Sequence, residues 1–190
     1  MNIKGLVELT HSQGIIRRYF IVNGFDGALT MLGLILGFLF SSPTEIDNII
    51  NVCIGAAIAL CVSGISSAYV SESAERKYVL NKLEQSMITD LSQTTHAHAA
   101  RTVPIIIALV NGLAPFIISL FILLPLWLYK SGMTLPISPL LMSVFIAMTI
   151  IFLLGVFLSR VSGISWWLSG LRTLLVGILT AVLIFVFVGY

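Results

Sequence analysis

The chain has 190 residues, of which 58% are hydrophobic and only 9% are charged, and its mean hydropathy is +1.06. Soluble domains carry about 25% charged residues, so this composition excludes a water-soluble globular protein. The net charge of +2 is too small to indicate a nucleic-acid partner. We therefore predict an all-α, polytopic membrane protein whose surroundings are the lipid bilayer.

Five apolar stretches are each long enough to cross a bilayer as a helix, which takes about 20 residues. In chain order they cover residues 19–40, 49–70, 103–129, 137–158 and 166–189. They predict a five-helix transmembrane domain over residues 19–190, which follows a polar N-terminal segment, residues 1–18. Residues 71–102 are predicted to form a short helical connector, because apolar residues recur in this segment at helical spacing.

Positive charge is distributed unevenly between the two sides of the predicted bundle. Nine of the ten Lys and Arg residues lie on the side of the N-terminus, and the opposite side has only Lys130. Cytoplasmic loops of membrane proteins carry the excess of Lys and Arg. The N-terminus and residues 71–102 are therefore predicted to face the cytoplasm and the C-terminus the outside. In a prokaryote the membrane would be the plasma membrane.

Asp26 is an acidic residue inside the first span. It lies about 10 Å from the cytoplasmic end, at 1.5 Å per residue. A charged side chain at this depth is costly and usually faces a cavity or a partner. Two interpretations are open: Asp26 binds a metal cation at the floor of a vestibule, or it forms a structural ion pair with Arg172 in the fifth span.

Glu72 and Glu75 follow the second span and are predicted to form an acidic entrance to the Asp26 site. They are three residues apart, so they share one helix face, although ordinary solvated surface would show the same spacing. Carboxylates suit hard or borderline divalent cations, and Met31 would add a soft sulfur ligand. The predicted metal ligands are thus Asp26, Glu72, Glu75 and Met31.

Further polar side chains fall near the depth of Asp26 on three different spans. We predict that they line an ion pathway, and the set consists of Asn23, Thr30, Ser67, Ser71 and Asn111. Small residues are also frequent in the first two spans, and such residues let helices approach closely. We therefore expect spans one and two to pack tightly together.

No motif of an enzyme is present in the sequence. It contains no nucleotide-binding loop, no HExxH pattern, no Ser-His-Asp set and no phosphate cradle. We therefore do not expect an enzyme, and we expect no permanently bound cofactor.

Several stretches of the chain resemble one family of membrane proteins. The segment RRYFIVNGFDGALTMLGLILGF in span one and SGISSAYVSESAERK at the end of span two are similar to the corresponding parts of the vacuolar iron transporter family. NGLAPFIISLFILLP resembles the third span of that family, and GVFLSRVSGISWWLSGLRTLLVGILTAVLIFVFVG resembles its last two. The order and orientation of the five spans also match.

The resemblance implies a five-helix protomer that dimerises through its first two spans. It implies export of Fe²⁺ or Mn²⁺ from the cytosol, in exchange for protons. Asp26 is then the intramembrane carboxylate of the pathway, and Glu72 and Glu75 lie where the second span lines its mouth.

The sequence also departs from the family pattern in two places. The second span reads VSGISSAY where plant-type members carry a methionine, and the short segment 71–102 replaces a larger cytoplasmic metal-binding domain rich in Glu and Met. The resemblance is therefore to a short member that lacks most of this domain. The alternative function is a non-transporting membrane partner or sensor in which Asp26 is locked to Arg172.

Overall fold

The computed structural model describes residues 13–41, 44–88, 90–91, 93–162 and 165–189. Five α-helices make up nearly all of this described part, in the order α1 (Gln13–Phe40), α2 (Ile46–Met87), α3 (Thr95–Lys130), α4 (Pro139–Ser162) and α5 (Trp166–Val188). Each is long and apolar enough to cross a membrane. The protein is therefore an integral, multi-pass, all-α membrane protein, and the prediction of five spans is confirmed.

Successive helices run in opposite directions. The start of α1 contacts the second half of α2 and the end of α4, through Tyr19 with Glu72 and Phe20 with Phe157. The end of α1 contacts the end of α5, where the rings of Phe40 and Phe185 pack edge to face. We call the side on which α1 begins the basic side of the membrane.

The ion pair on the opposite side involves the one lysine predicted there. Lys130 Nζ lies 2.7 Å from Asp47 Oδ1, and both side chains are more than half exposed. The pair joins the end of α3 to the start of α2, where solvent screening leaves an exposed ion pair little net energy.

The third helix lies between the first two. Helix α2 packs chiefly against α3, while α1 packs against α3, α4 and α5, and its contact with α2 is the least extensive of these four. The tight packing of spans one and two that we expected is therefore wrong within one chain. The reason is that their small residues meet α3: a Cβ on Gly27 would lie 2.7 Å from the Cα of Pro115, and one on Gly64 would lie 3.0 Å from the Cα of Gly112.

A large apolar core holds the helices together around the middle of the bundle, and a smaller cluster joins the starts of α1 and α3. Leu32 and Ile35 of α1, Ile122 of α3 and Ile151 of α4 are all fully buried in the large core. Cys53 of α2 is buried in the same core, and both it and Cys61 are free thiols. Cys53 is thus a core residue, whereas Cys61 is only partly buried.

The second helix is too long for the membrane alone. Its 42 residues span about 63 Å at 1.5 Å per residue, against a hydrocarbon thickness of about 30 Å. Most of the predicted connector 71–102 therefore continues α2 as far as Met87, and α3 begins again at Thr95. Between them, the side chain of Glu84 accepts a hydrogen bond from the backbone N–H of Leu91. The predicted N-terminal segment 1–18 falls partly on residues 1–12, which lie outside the described part, and α1 already begins at Gln13.

Candidate functional site

One face of α1 carries a line of polar side chains from the basic side into the membrane. Tyr19, Asn23, Asp26 and Thr30 follow one another at steps of four, three and four residues, so they share a helix face. The first two are engaged by neighbouring helices. Asp26 is exposed, and Thr30 is half-buried. A carboxylate therefore lies open to the surroundings about two helical turns deeper than Tyr19.

The first link in this line joins α1 to α2. The hydroxyl of Tyr19 donates a hydrogen bond of 3.3 Å to Oε1 of Glu72. The other carboxylate oxygen of Glu72 lies 3.8 Å from Nε of Arg76, one turn further along α2. Glu72 is only 9% exposed, so its carboxylate is held between a hydroxyl and a guanidinium rather than open to an entering ion.

The second link joins all three of the first helices. The side-chain amide of Asn23 donates to Oδ1 of Asn111, and Nδ2 of Asn111 donates to the backbone carbonyl of Gly64 at 2.7 Å. Asn111 is buried, with 4% of its surface exposed. Because Pro115 has no N–H, the backbone carbonyl of Asn111 has no partner four residues on in α3. This carbonyl faces Gly64, whose missing side chain leaves room for it.

The second helix presents a regular stripe of small and polar residues. Every fourth residue from Gly55 to Glu75 is exposed, and together these residues, which we call the α2 stripe, are Gly55, Ala59, Ser63, Ser67, Ser71 and Glu75. The exposed residues of α5 are, by contrast, mostly large and aliphatic, such as Leu175, Leu179 and Val182. The α2 stripe therefore differs from a surface built only to meet lipid tails.

The four predicted metal ligands are not brought together in one chain. Asp26 and Glu75 are exposed, Glu72 is buried beside Tyr19, and Met31 is fully buried in the apolar core. Met31 follows Asp26 by five residues, which turns it to a different face of α1. Within the described residues, no three His, Cys, Asp or Glu side chains are grouped so that they could hold a metal ion.

The predicted pathway residues divide into two groups. Asn23 and Asn111 are part of the hydrogen-bonded link between helices, and Ser67 and Ser71 belong to the exposed α2 stripe. Ser67 also donates a long hydrogen bond of 3.4 Å to the carbonyl of Gly64. Thr30 lies one turn beyond Asp26 on the same face of α1.

The alternative ion pair of the sequence analysis is not formed. Both Asp26 and Arg172 are described and exposed, and no ion pair within 4 Å joins them. Tyr19 was not predicted as the partner of Glu72. Its position seven residues before Asp26, on the same face of the helix, was the available signal.

Comparison with known proteins assigns the amino-acid sequence to a family. A sequence model described as the VIT family matches residues 81–189, which is more than half of the chain. The chain belongs to the VIT family. The predicted resemblance is thereby confirmed, and VIT-family membrane proteins are generally metal-ion transporters.

Among curated proteins, this VIT-family chain is similar to an uncharacterised protein of the archaeon Methanocaldococcus jannaschii. The two are 26% identical over 171 residues, which cover 88% of this chain and 86% of the relative. No solved structure matches the chain.

Proposed function

We propose that this VIT-family protein exports Fe²⁺ or Mn²⁺ from the cytosol in exchange for protons. The observation that carries the proposal is the exposed carboxylate of Asp26, deep in α1 and without an ion-pair partner at Arg172. Ionisable groups inside the membrane mark ion pathways and proton relays in transporters. The proposal places the basic side in the cytoplasm and the end of α5 outside, as the positive-inside rule predicts.

A carboxylate suits both ions of such an exchange. Ionised, Asp26 is an oxygen ligand for Fe²⁺ or Mn²⁺, and protonated, it is neutral and releases the metal. One site can then carry either the metal or a proton, but not both at once. Of the two acidic residues on α2, Glu75 is the exposed one, and we assign it to the entrance. Glu72 contacts Tyr19 and Arg76, and in this proposal it holds α1 against α2 beside the entrance.

The proposed assembly is a homodimer through α1 and α2. Within the described residues of one chain, no three His, Cys, Asp or Glu side chains are grouped, and in the proposed dimer a second copy would supply further oxygens for the divalent cation. The α2 stripe supports this arrangement, because small residues at every fourth position let two membrane helices approach closely. Ser67, Ser71 and Glu75 would then face the same interface as Asp26.

The dimer makes a prediction that is independent of transport. Replacing Ser63 in the middle of the α2 stripe with Trp is expected to give monomers, because the large ring prevents close approach of the two helices. The measurement is the mass of the purified protein by light scattering in detergent. The control, Leu179→Trp on the exposed face of α5, is expected to stay dimeric. A monomeric wild-type protein would contradict the proposed dimer. A Ser63→Trp variant that stays dimeric would show that the α2 stripe is not part of the interface.

The transport proposal is tested by metal flux into liposomes that contain the purified protein. With a lumen more acidic than the bath, we expect uptake of Mn²⁺ and of anaerobic Fe²⁺ well above that of protein-free vesicles, and little uptake of Ca²⁺. Collapsing the pH gradient is expected to slow the metal uptake, because protons leave as the metal enters. Metal uptake that does not depend on the pH gradient would contradict proton exchange. The absence of uptake for every divalent metal tested would contradict transport itself.

A further inference from the structure

A groove beside the start of α1 combines basic side chains with an apolar floor. It encloses about 440 Å³ between α1 and the end of α4. Arg17 and Arg18 lie at its mouth, and Ile21, Val22, Phe25 and Leu158 line the rest. The transport proposal makes no use of these arginines, although the guanidinium of Arg18 lies 5.9 Å from the ring centre of Tyr19.

The position of the two arginines along α1 matches one boundary of the bilayer. Arg17 and Arg18 precede Phe40, the last residue of α1, by 23 and 22 residues, or about 33–35 Å at 1.5 Å per residue. The hydrocarbon core is about 30 Å thick. When Phe40 lies at one boundary, the two guanidinium groups reach the headgroup level of the other, and the apolar residues after them reach the acyl chains.

We propose that this groove binds an anionic phospholipid of the leaflet on the basic side. Its phosphate would lie against Arg17 and Arg18, since guanidinium groups form charge-assisted, often bidentate, hydrogen bonds with phosphate. One acyl chain would lie over Ile21, Val22 and Phe25. Basic pockets between membrane helices are recognised headgroup sites. A soluble anion would reach the arginines but would leave the apolar floor unused.

The one acidic residue at the groove does not oppose this assignment. Asp26 lines its deep end, eight residues beyond Arg18, which is about 12 Å further into the membrane. The lipid phosphate at the headgroup level is therefore remote from the carboxylate. The acyl chain, by contrast, extends toward it along the apolar residues of the groove.

The test compares two lipids that differ in charge alone. The full-length protein in detergent is titrated with phosphatidylglycerol or with phosphatidylcholine of the same acyl chains, and bound lipid is counted by native mass spectrometry. We expect the wild type to prefer phosphatidylglycerol. In the double variant Arg17→Gln/Arg18→Gln this preference is expected to fall about thirtyfold, since each basic residue at an anionic surface contributes about fivefold.

A matched control removes two positive charges elsewhere on the same side. Lys77→Gln/Arg101→Gln changes the net charge equally and is expected to keep the preference, and so is Val22→Ala. Val22→Trp, which fills the groove and keeps both arginines, is expected to weaken binding of both lipids. Equal binding of the two lipids by the wild type, an unchanged preference in the Arg17/Arg18 variant, or equal loss in the Lys77/Arg101 control would overturn the proposal. Competition by glycerol phosphate as strong as by the whole lipid would also overturn it, in favour of a simple anion site.

Discussion

Replacing Asp26 with Asn is expected to reduce metal flux to the level of protein-free liposomes. The amide has nearly the same size and shape as the carboxylate, but it carries no charge and cannot release a proton. Removing even an outer partner of a metal ligand lowers metal affinity about 10–100-fold, so loss of the proposed ligand itself should reach at least the upper end of this range. The readout is Mn²⁺ uptake under an imposed pH gradient.

Thermal stability separates loss of the ion site from loss of the fold. A ligand that binds only the folded protein stabilises it by about 2.7 kcal/mol at a concentration of 100 Kd. We expect Mn²⁺ to raise the Tm of the wild type and not that of Asp26→Asn, while both have a similar Tm without metal. The control is Asp47→Asn, which removes an exposed carboxylate at the start of α2, on the other side of the membrane. This variant should keep the metal-dependent rise in Tm. Metal flux in Asp26→Asn as high as in the wild type would contradict the proposed role of this residue.

Replacing Gly112 with Ala is expected to destabilise the bundle. A Cβ at this position would collide with the backbone carbonyl of Cys61 and would lie 3.0 Å from the backbone N of Ile65. Backbone atoms of a long helix cannot rotate away as a side chain does, so α2 and α3 must separate. Overpacking of this kind costs about 1–3 kcal/mol, and it would also stretch the hydrogen bond from Asn111 to Gly64.

The same substitution at Gly37 is the control. Nothing lies within 4 Å of a Cβ built there, and Ala favours a helix over Gly by about 0.5–1 kcal/mol. Gly37→Ala should therefore leave the Tm unchanged or slightly raised, while Gly112→Ala lowers it. Equal Tm values for the two variants would mean that α2 and α3 are not in close contact at Gly112.

The spans were predictable from sequence, and their arrangement was not. Hydropathy follows each helix along the chain, and it found all five spans because lipid requires long apolar stretches. It did not find the extension of α2 to Met87 or the earlier starts of α1 and α3. It says nothing of which helix lies next to which. The small residues of spans one and two indicated close packing, but Gly27 and Gly64 each pack against α3, at Pro115 and Gly112. Sequence reveals that a helix surface is small, and only the fold shows what approaches it.

The candidate site was predictable in part for a similar reason. Helical spacing alone places Met31 and Asp26 on different faces of α1. Their separation was therefore predictable from the sequence. The spacing of Glu72 and Glu75 did not predict that one is buried and the other exposed. Residues three apart share one helix face, so the spacing treats them alike. Glu72 is buried because Tyr19, from a helix 53 residues earlier in the chain, covers it and donates a hydrogen bond. Such a contact between distant residues leaves no periodic signal.

The length of α2 has a mechanical consequence. The helix is unbroken from the close contact at Gly64 to its end at Met87, a distance of about 35 Å. It therefore extends from a contact inside the membrane to an end in the aqueous phase, where Glu84 accepts a hydrogen bond from the backbone of Leu91. A tilt of about 10° at Gly64 displaces Met87 by roughly 6 Å over that length. Small angular changes around Asp26 are thus magnified at the tip of α2, where a spectroscopic label would detect them without touching the ion site.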